Sequence, residues 1–102
     1  MASRDRYVIM QIGLLQLELH IPGAHSLKDK RQVLQSLIET MRRRFNVSVA
    51  EVGRQDAWQH AEIAVATVAN ERRFVDEVLS RVESFVESEP RAEITGATSE
   101  IL

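Results

Sequence analysis

Tyr7-Val-Ile-Met-Gln-Ile-Gly-Leu-Leu-Gln-Leu-Glu-Leu-His-Ile21 is extended, and its apolar pattern changes along its length. From Leu15 onward the alternation is clean. Leu15, Leu17, Leu19 and Ile21 fall on one face, and Gln16, Glu18 and His20 on the other. Before that point Val8, Met10, Ile12 and Leu14 make the opposite face apolar as well. Half of the strand therefore calls for burial on both sides, which places it in the middle of a sheet. Gly13 is expected to host a bulge that shifts the faces. Pro22-Gly23 ends the strand.

A helix follows. Ser26-x-x-Asp29 is a capping signature, in which Ser26 accepts a backbone N–H and Asp29 reaches back. Leu27, Leu34, Leu37, Ile38, Met41 and Phe45 form its apolar stripe, and Asn46 is expected to stop it in a left-handed conformation. Val47–Val52 reads as a second strand. Gly53–Gln59 is a polar connection in which Trp58 is expected to pack its ring against a neighbouring element or a partner. Ala61–Ala69 is a third strand, apolar on both faces. Asn70 is expected to cap a second helix with the stripe Phe74, Val75, Val78, Leu79, Val82, Phe85 and Val86, ended by Pro90. Ala92–Ile101 has weak polar alternation and suits an edge strand.

The order strand, helix, strand, strand, helix, strand, with right-handed crossovers and a central hairpin, predicts an α+β protein. It is the ferredoxin-like split βαββαβ arrangement: a four-stranded antiparallel sheet with two helices on one face. Strands one and three are then central, and both read as apolar on two faces. The helices cover only one face. The other is expected to be an interface, giving a homodimer through the open sheet face.

The 102 residues fit a single domain, 1–102, behind a short polar leader, 1–6. There is no cysteine, which removes disulfides, thiolate metal sites and cysteine nucleophiles. No apolar run approaches the roughly 20 residues of a membrane span, and the leader lacks a signal-peptide core, so the expected location is cytoplasmic. Absent cysteine and strong use of Arg and Glu resemble a thermophile composition.

The net charge of −2 does not suit a general nucleic-acid binder. Its distribution is uneven. His25–Phe45 holds six cations (Lys28, Lys30, Arg31, Arg42, Arg43 and Arg44) against Asp29 and Glu39, a net +4 that leaves −6 elsewhere. Three of these cations stand at a helix N-terminus, where positive charge is unfavourable, so a negative group is expected to offset them. At about 100° per residue Lys30 projects into the apolar stripe and must either snorkel or meet an acceptor. All six are candidate anion- or partner-binding residues. The simpler reading is an internal ion pair, with Lys30 or Arg31 meeting Glu18, Glu51, Asp56 or Glu62.

Other chemistries find less support. His20, His25, Asp56 and His60 lack the spacing of a metal motif, so no metal or other cofactor is expected. No nucleophile–base pair is present, so no catalytic residue is assigned. The Gly-rich phosphate loop and arginine of acylphosphatases, which share this length and topology, are replaced by Ile21-Pro-Gly-Ala-His25. Strand three carries no aromatic residue for base stacking on the sheet.

Ser26-Leu-Lys-Asp-Lys-Arg31, then Phe45-Asn-Val-Ser-Val-Ala-Glu-Val52, then Gln55-Asp56 with Trp58-Gln59 resemble the YlxP-like family, a bacterial domain family of unknown function. The resemblance covers essentially the whole chain. It implies a ferredoxin-like fold and supplies no catalytic residues to carry over. Members are often encoded beside translation and ribosome-maturation factors, which implies a role near RNA or the ribosome. Two functions are therefore expected from different classes. One is a binding module docking RNA or a ribosomal, translation-associated partner through the basic first helix. The other is an ACT-like regulatory or small-anion-binding module with no nucleic-acid role.

Overall fold

A computed structural model describes residues 9–102. The expectations for the leader, and for Tyr7 and Val8, lie outside the described residues. The elements run β1 (Gln11–His20), α1 (Leu27–Arg44), β2 (Ser48–Gly53), β3 (His60–Ala69), α2 (Arg72–Glu87) and β4 (Glu93–Ile101). The sheet order is β2-β3-β1-β4 with every pair antiparallel. This is the ferredoxin-like α+β arrangement, with β1 and β3 central and β2 and β4 at the edges.

One face of the sheet packs on the helices. Leu15, Leu17 and Leu19 of β1 and Ala61, Ile63 and Val65 of β3 are buried against Leu34, Leu37 and Met41 of α1 and Val75, Leu79, Val82 and Val86 of α2. Residues two apart on a strand share a face, and residues three or four apart share a helix stripe, so these sets are what the sequence periodicity selects.

Four local expectations are corrected. Gly13 hosts no bulge. The ladder runs through it without a break, with Gly13 opposite Thr67 on β3 and Ile101 on β4. Its role is close approach, because a Cβ there would collide with Val75 Cγ1 of α2. The irregularity lies instead between Glu18 and Leu19 in the β1–β4 pairing. Asn46 is not left-handed; Arg54 alone among the described non-glycine residues has positive φ, at 56°. Phe45, in extended conformation, caps α1, with its N–H on Met41 O. Glu71, not Asn70, occupies the N-cap of α2 and makes no side-chain capping bond. Trp58 does not bury its ring against a neighbouring element of the same chain and is 57% exposed.

No described element covers the second face of the sheet, and the strand registers arrange it in rows. Leu102, whose N–H bonds Ile12 O, extends a row through Ile12 and Val68. The next row is Glu100, Leu14, Ala66 and Ser48, followed by Thr98, Gln16, Ala64 and Ala50. Further along, Glu18 stands directly opposite Glu62, and His20 stacks on His60 at 5.2 Å. The face thus grades from apolar to acidic to imidazole.

Substituting Gly13→Ala should destabilise the protein by about 1–3 kcal/mol, because an added methyl forces α2 off β1. Urea denaturation of the variant beside wild type measures it. An unchanged midpoint would mean that α2 sits further from β1 than described.

Candidate functional site

The site is built where α1 begins and the β2–β3 connection turns over. Ser26 Oγ accepts Asp29 N–H at 3.0 Å, and Asp29 Oδ2 accepts His25 N–H at 3.0 Å, so the capping box closes onto the residue before the cap. This fixes the first turn of α1 and aims Lys30 inward, in line with Leu34, Leu37 and Met41.

Lys30 is fully buried. Its ammonium has three N–H donors, and all three are used. They reach Arg54 O at 2.9 Å, Gln55 O at 3.3 Å and His60 O at 3.1 Å. Glu51 Oε2 stands 3.2 Å from Nζ. That oxygen is itself buried and receives no hydrogen bond. With the three protons already directed at carbonyls, Glu51 acts through charge alone. The arrangement satisfies the rule that a buried charge needs both hydrogen-bond partners and an opposite charge.

The β2–β3 connection is shaped around that ammonium. Arg54 O also accepts Ala57 N–H at 3.0 Å, and this carbonyl belongs to the one left-handed non-glycine residue described. Gln59 Nε2 donates to Pro22 O at 3.2 Å and Ala24 O at 3.0 Å, tying the connection to the β1–α1 turn. Ile21 N–H on Gln59 O at 2.8 Å extends the β1–β3 ladder to this point. The side chains of Asp56 and Trp58 are left exposed, and neither makes a hydrogen bond or ion pair among the described residues.

The six cations therefore separate. Lys30 is removed from the candidate partner-binding set, because it has no exposed surface and no free proton. The alternative reading for this residue, an internal pair, is the one the geometry gives, with Glu51 as the anion. Lys28, Arg31, Arg42, Arg43 and Arg44 are exposed. Arg42 donates to Val49 O at 2.7 Å and Arg43 to Thr40 Oγ1 at 3.2 Å. The Arg44 guanidinium lies 5.5 Å from the Phe45 ring centroid and 5.1 Å from that of Phe85. None of the five has a carboxylate partner among the described residues. Every described cation outside α1 has one: Arg54 with Glu62, Arg72 with Asp76, Arg73 with Glu71, Arg81 with Glu77 and Arg91 with Glu89.

The five are not one patch. Lys28 and Arg31 stand at the start of α1 and Arg42–Arg44 at its end, about 20 Å apart at 1.5 Å per residue. By helical phase Lys28, Arg31 and Arg42 share the outward side, and Arg44 turns back toward α2. Of the histidines, His20 and His60 meet on the open face beside Glu93, whose carboxylate is 3.6 Å from His20 Nδ1. Among the described residues no three His, Asp or Glu side chains form a group able to hold a metal ion.

Sequence reasoning missed the carbonyls of Arg54, Gln55 and His60 as acceptors for Lys30. Backbone acceptors leave no side-chain signature. Gln59 as a double tether was missed as well; its signal was a polar residue of fixed place in the third quoted motif.

Over residues 12–99 the chain matches the family described as "Protein of unknown function (DUF503)". The chain belongs to this family. Among its relatives is the uncharacterized protein YlxP of Bacillus subtilis, 39% identical over 84 residues that span 82% of this chain and 91% of that one. The family resemblance read from the motifs is thereby established. Among solved structures, a de novo designed protein, Foldit4, matches with a TM-score of 0.50, covering 89% of this chain and 96% of the design. At 11% identity the likeness concerns the fold alone. No described helix is long and apolar enough to cross a membrane.

Replacing Lys30 with Ala should cost about 3–5 kcal/mol, since it strands Glu51 and three carbonyls without their cation. Lys28→Ala and Arg31→Ala should change stability by no more than about 0.5 kcal/mol. Chemical denaturation of the three variants tests the contrast, and equal losses at all three positions would refute the separation of Lys30 from its neighbours.

Proposed function

We propose that this protein is a small cytosolic binding module that docks a phosphate-bearing partner, RNA or a ribosomal assembly, through α1. The supporting observation is the partition of cations. The five exposed cations of α1 have no carboxylate partner among the described residues, whereas each described arginine elsewhere has one. Ion pairing is the ordinary fate of an exposed cation on an acidic body. Five exceptions confined to one helix leave charge available for a polyanion. The two groups, about 20 Å apart along the helix, suit an extended charged backbone better than a single small anion. This favours a polymer over the ACT-like small-anion reading.

A second copy of the chain is proposed on the open face. Leu102, Ile12 and Val68 form an exposed apolar row, with Met10 and Ile9 also exposed at the start of β1. The helices leave the outer side of α1 free in such a dimer, so the two proposals are compatible.

Binding to a ribosomal fraction or to single-stranded RNA should weaken with salt, with a slope near −0.7 in log–log form per phosphate contact. The double substitution of Lys28 and Arg31 by Ala should flatten that slope by roughly 1 to 2 while leaving the melting temperature in place. Co-sedimentation across a salt series reads both effects; binding that ignores salt would dismiss phosphate docking. Separately, Val68→Lys should convert a dimer to a monomer by light scattering. A wild-type monomer at micromolar concentration would remove the dimer from the proposal.

A further inference from the structure

The β2–β3 connection holds a second recognition group at the end of the molecule where α1 begins. Trp58 is the chain's only tryptophan, and more than half of its surface is in solvent. It stands on a segment with little freedom to move. Arg54 O, Gln55 O and His60 O are fixed by Lys30, and the Gln59 amide is fixed by Pro22 and Ala24. A large aromatic ring held out on an anchored loop is pre-organised for a partner, because little ordering entropy remains to be lost on binding.

The uncommitted groups at the same end of the molecule say what kind of partner. The residues of the first and third quoted motifs divide in two. Ser26, Asp29, Lys30, Gln55 and Gln59 take part in the capping box and the anchoring of the loop. Lys28, Arg31, Asp56 and Trp58 make no side-chain hydrogen bond or ion pair among the described residues, and all four are exposed. Both halves lie at one end of the molecule, since the loop is bonded to Lys30 on the first turns of α1 and to the turn before it. Two uncommitted cations, one uncommitted carboxylate and one exposed ring are a set that fits a nucleotide. The cations suit phosphates, the ring suits the face of a base, and the carboxylate suits the amino group on a base edge.

We propose that Trp58 is a stacking platform for an unpaired nucleobase of single-stranded RNA whose adjoining phosphates lie on Lys28 and Arg31, with Asp56 accepting a hydrogen bond from the base. This rests on the reading of α1 as a phosphate-docking helix and adds the class of nucleic acid and the aromatic contact. It places base recognition at the end of the sheet, not on the open face. Cytosine offers Asp56 its exocyclic N4–H donors, whereas uracil has a carbonyl at that position and only the recessed N3–H to donate, so the amino-bearing base gains more.

The test uses the full chain and its single tryptophan. Fluorescein-labelled oligocytidylate of about 10 nucleotides, an oligouridylate and an RNA duplex of equal length are titrated at low salt, following anisotropy and Trp58 emission together. Expected are tighter binding of oligocytidylate than of either other RNA, quenching of Trp58 in step with binding, and a loss of affinity of about ten-fold or more in Trp58→Ala. Trp58→Phe should recover most of that loss. Asp56→Asn should narrow the preference for cytidylate over uridylate. Circular dichroism should find the fold of Trp58→Ala unchanged, the ring being exposed. If RNA binds with salt dependence but emission and Trp58→Ala affinity do not change, stacking is wrong and phosphate docking survives. If no RNA binds, stacking is wrong, and phosphate docking is decided by the ribosomal-fraction salt series. Quenching by an oligoglutamate and not by RNA assigns the surface to an acidic protein partner and overturns the proposal.

Discussion

An ammonium group placed inside a protein must have each of its protons accepted and its charge matched, or the chain will not hold it there. Lys30 meets that demand with two carbonyls from the β2–β3 connection, a third from the first residue of β3 and one carboxylate from the edge strand β2. The geometry of this end of the molecule follows from it. The capping box sets the helical phase that turns Lys30 inward. The carbonyls of Arg54 and Gln55 can converge only if the chain doubles back, which Arg54 achieves in a left-handed conformation of the kind that arginine rarely adopts. Replacing such an ion pair with apolar groups is often no less stable. Its contribution is better understood as geometric: it dictates one conformation for a six-residue connection that has no apolar anchor of its own.

The sheet shows a related use of limited space. Glu18 and Glu62 face each other on the two central strands, an unfavourable pairing for like charges. Each carboxylate leans outward over a glycine on the flanking strand. A Cβ at Gly96 would lie 2.7 Å from Glu18 Oε2, and one at Gly53 would lie 2.6 Å from Glu62 Oε2. The bare edges let the two charges diverge, and Glu62 then reaches Arg54 at 3.3 Å. The acidic part of the open face is therefore compatible with folding without any external cation.

Periodicity made most of the fold legible. Leu15, Leu17 and Leu19, the α1 stripe and the α2 stripe are found where alternation and helical spacing put them, and the two strands that read as apolar on both faces are the central pair. Features set by tertiary proximity were not legible. Gly13 resembles a bulge signal in one dimension, but its lack of a side chain serves the approach of Val75. Asn70 has a better capping side chain than Glu71, yet the backbone enters α2 one residue later. Trp58 is expected to pack against a neighbouring element or a partner because an exposed, unpaired indole is costly, and within the chain it stays exposed. Nothing in its neighbours' types reveals that Lys30 and Gln59 hold the loop so that the ring points out. At the site, the inward phase of Lys30 could be counted from the sequence. Which cations find carboxylates could not, because pairing depends on elements distant in the chain.

The Lys30 contacts also bear on the order in which this chain can fold. Their partners lie 21 to 30 residues further along, in the β2–β3 hairpin. Until that hairpin exists, drawing the ammonium out of water has no compensation, so the start of α1 is held in solvent. Burial of the Lys30 ammonium therefore requires the hairpin to be in place first. The same dependence runs in reverse during native-state fluctuations. Opening the connection is expected to release the first turn of α1 before Leu37 or Met41, which makes the end of the molecule that carries Lys28, Arg31 and Trp58 the natural candidate for a sub-global unfolding unit.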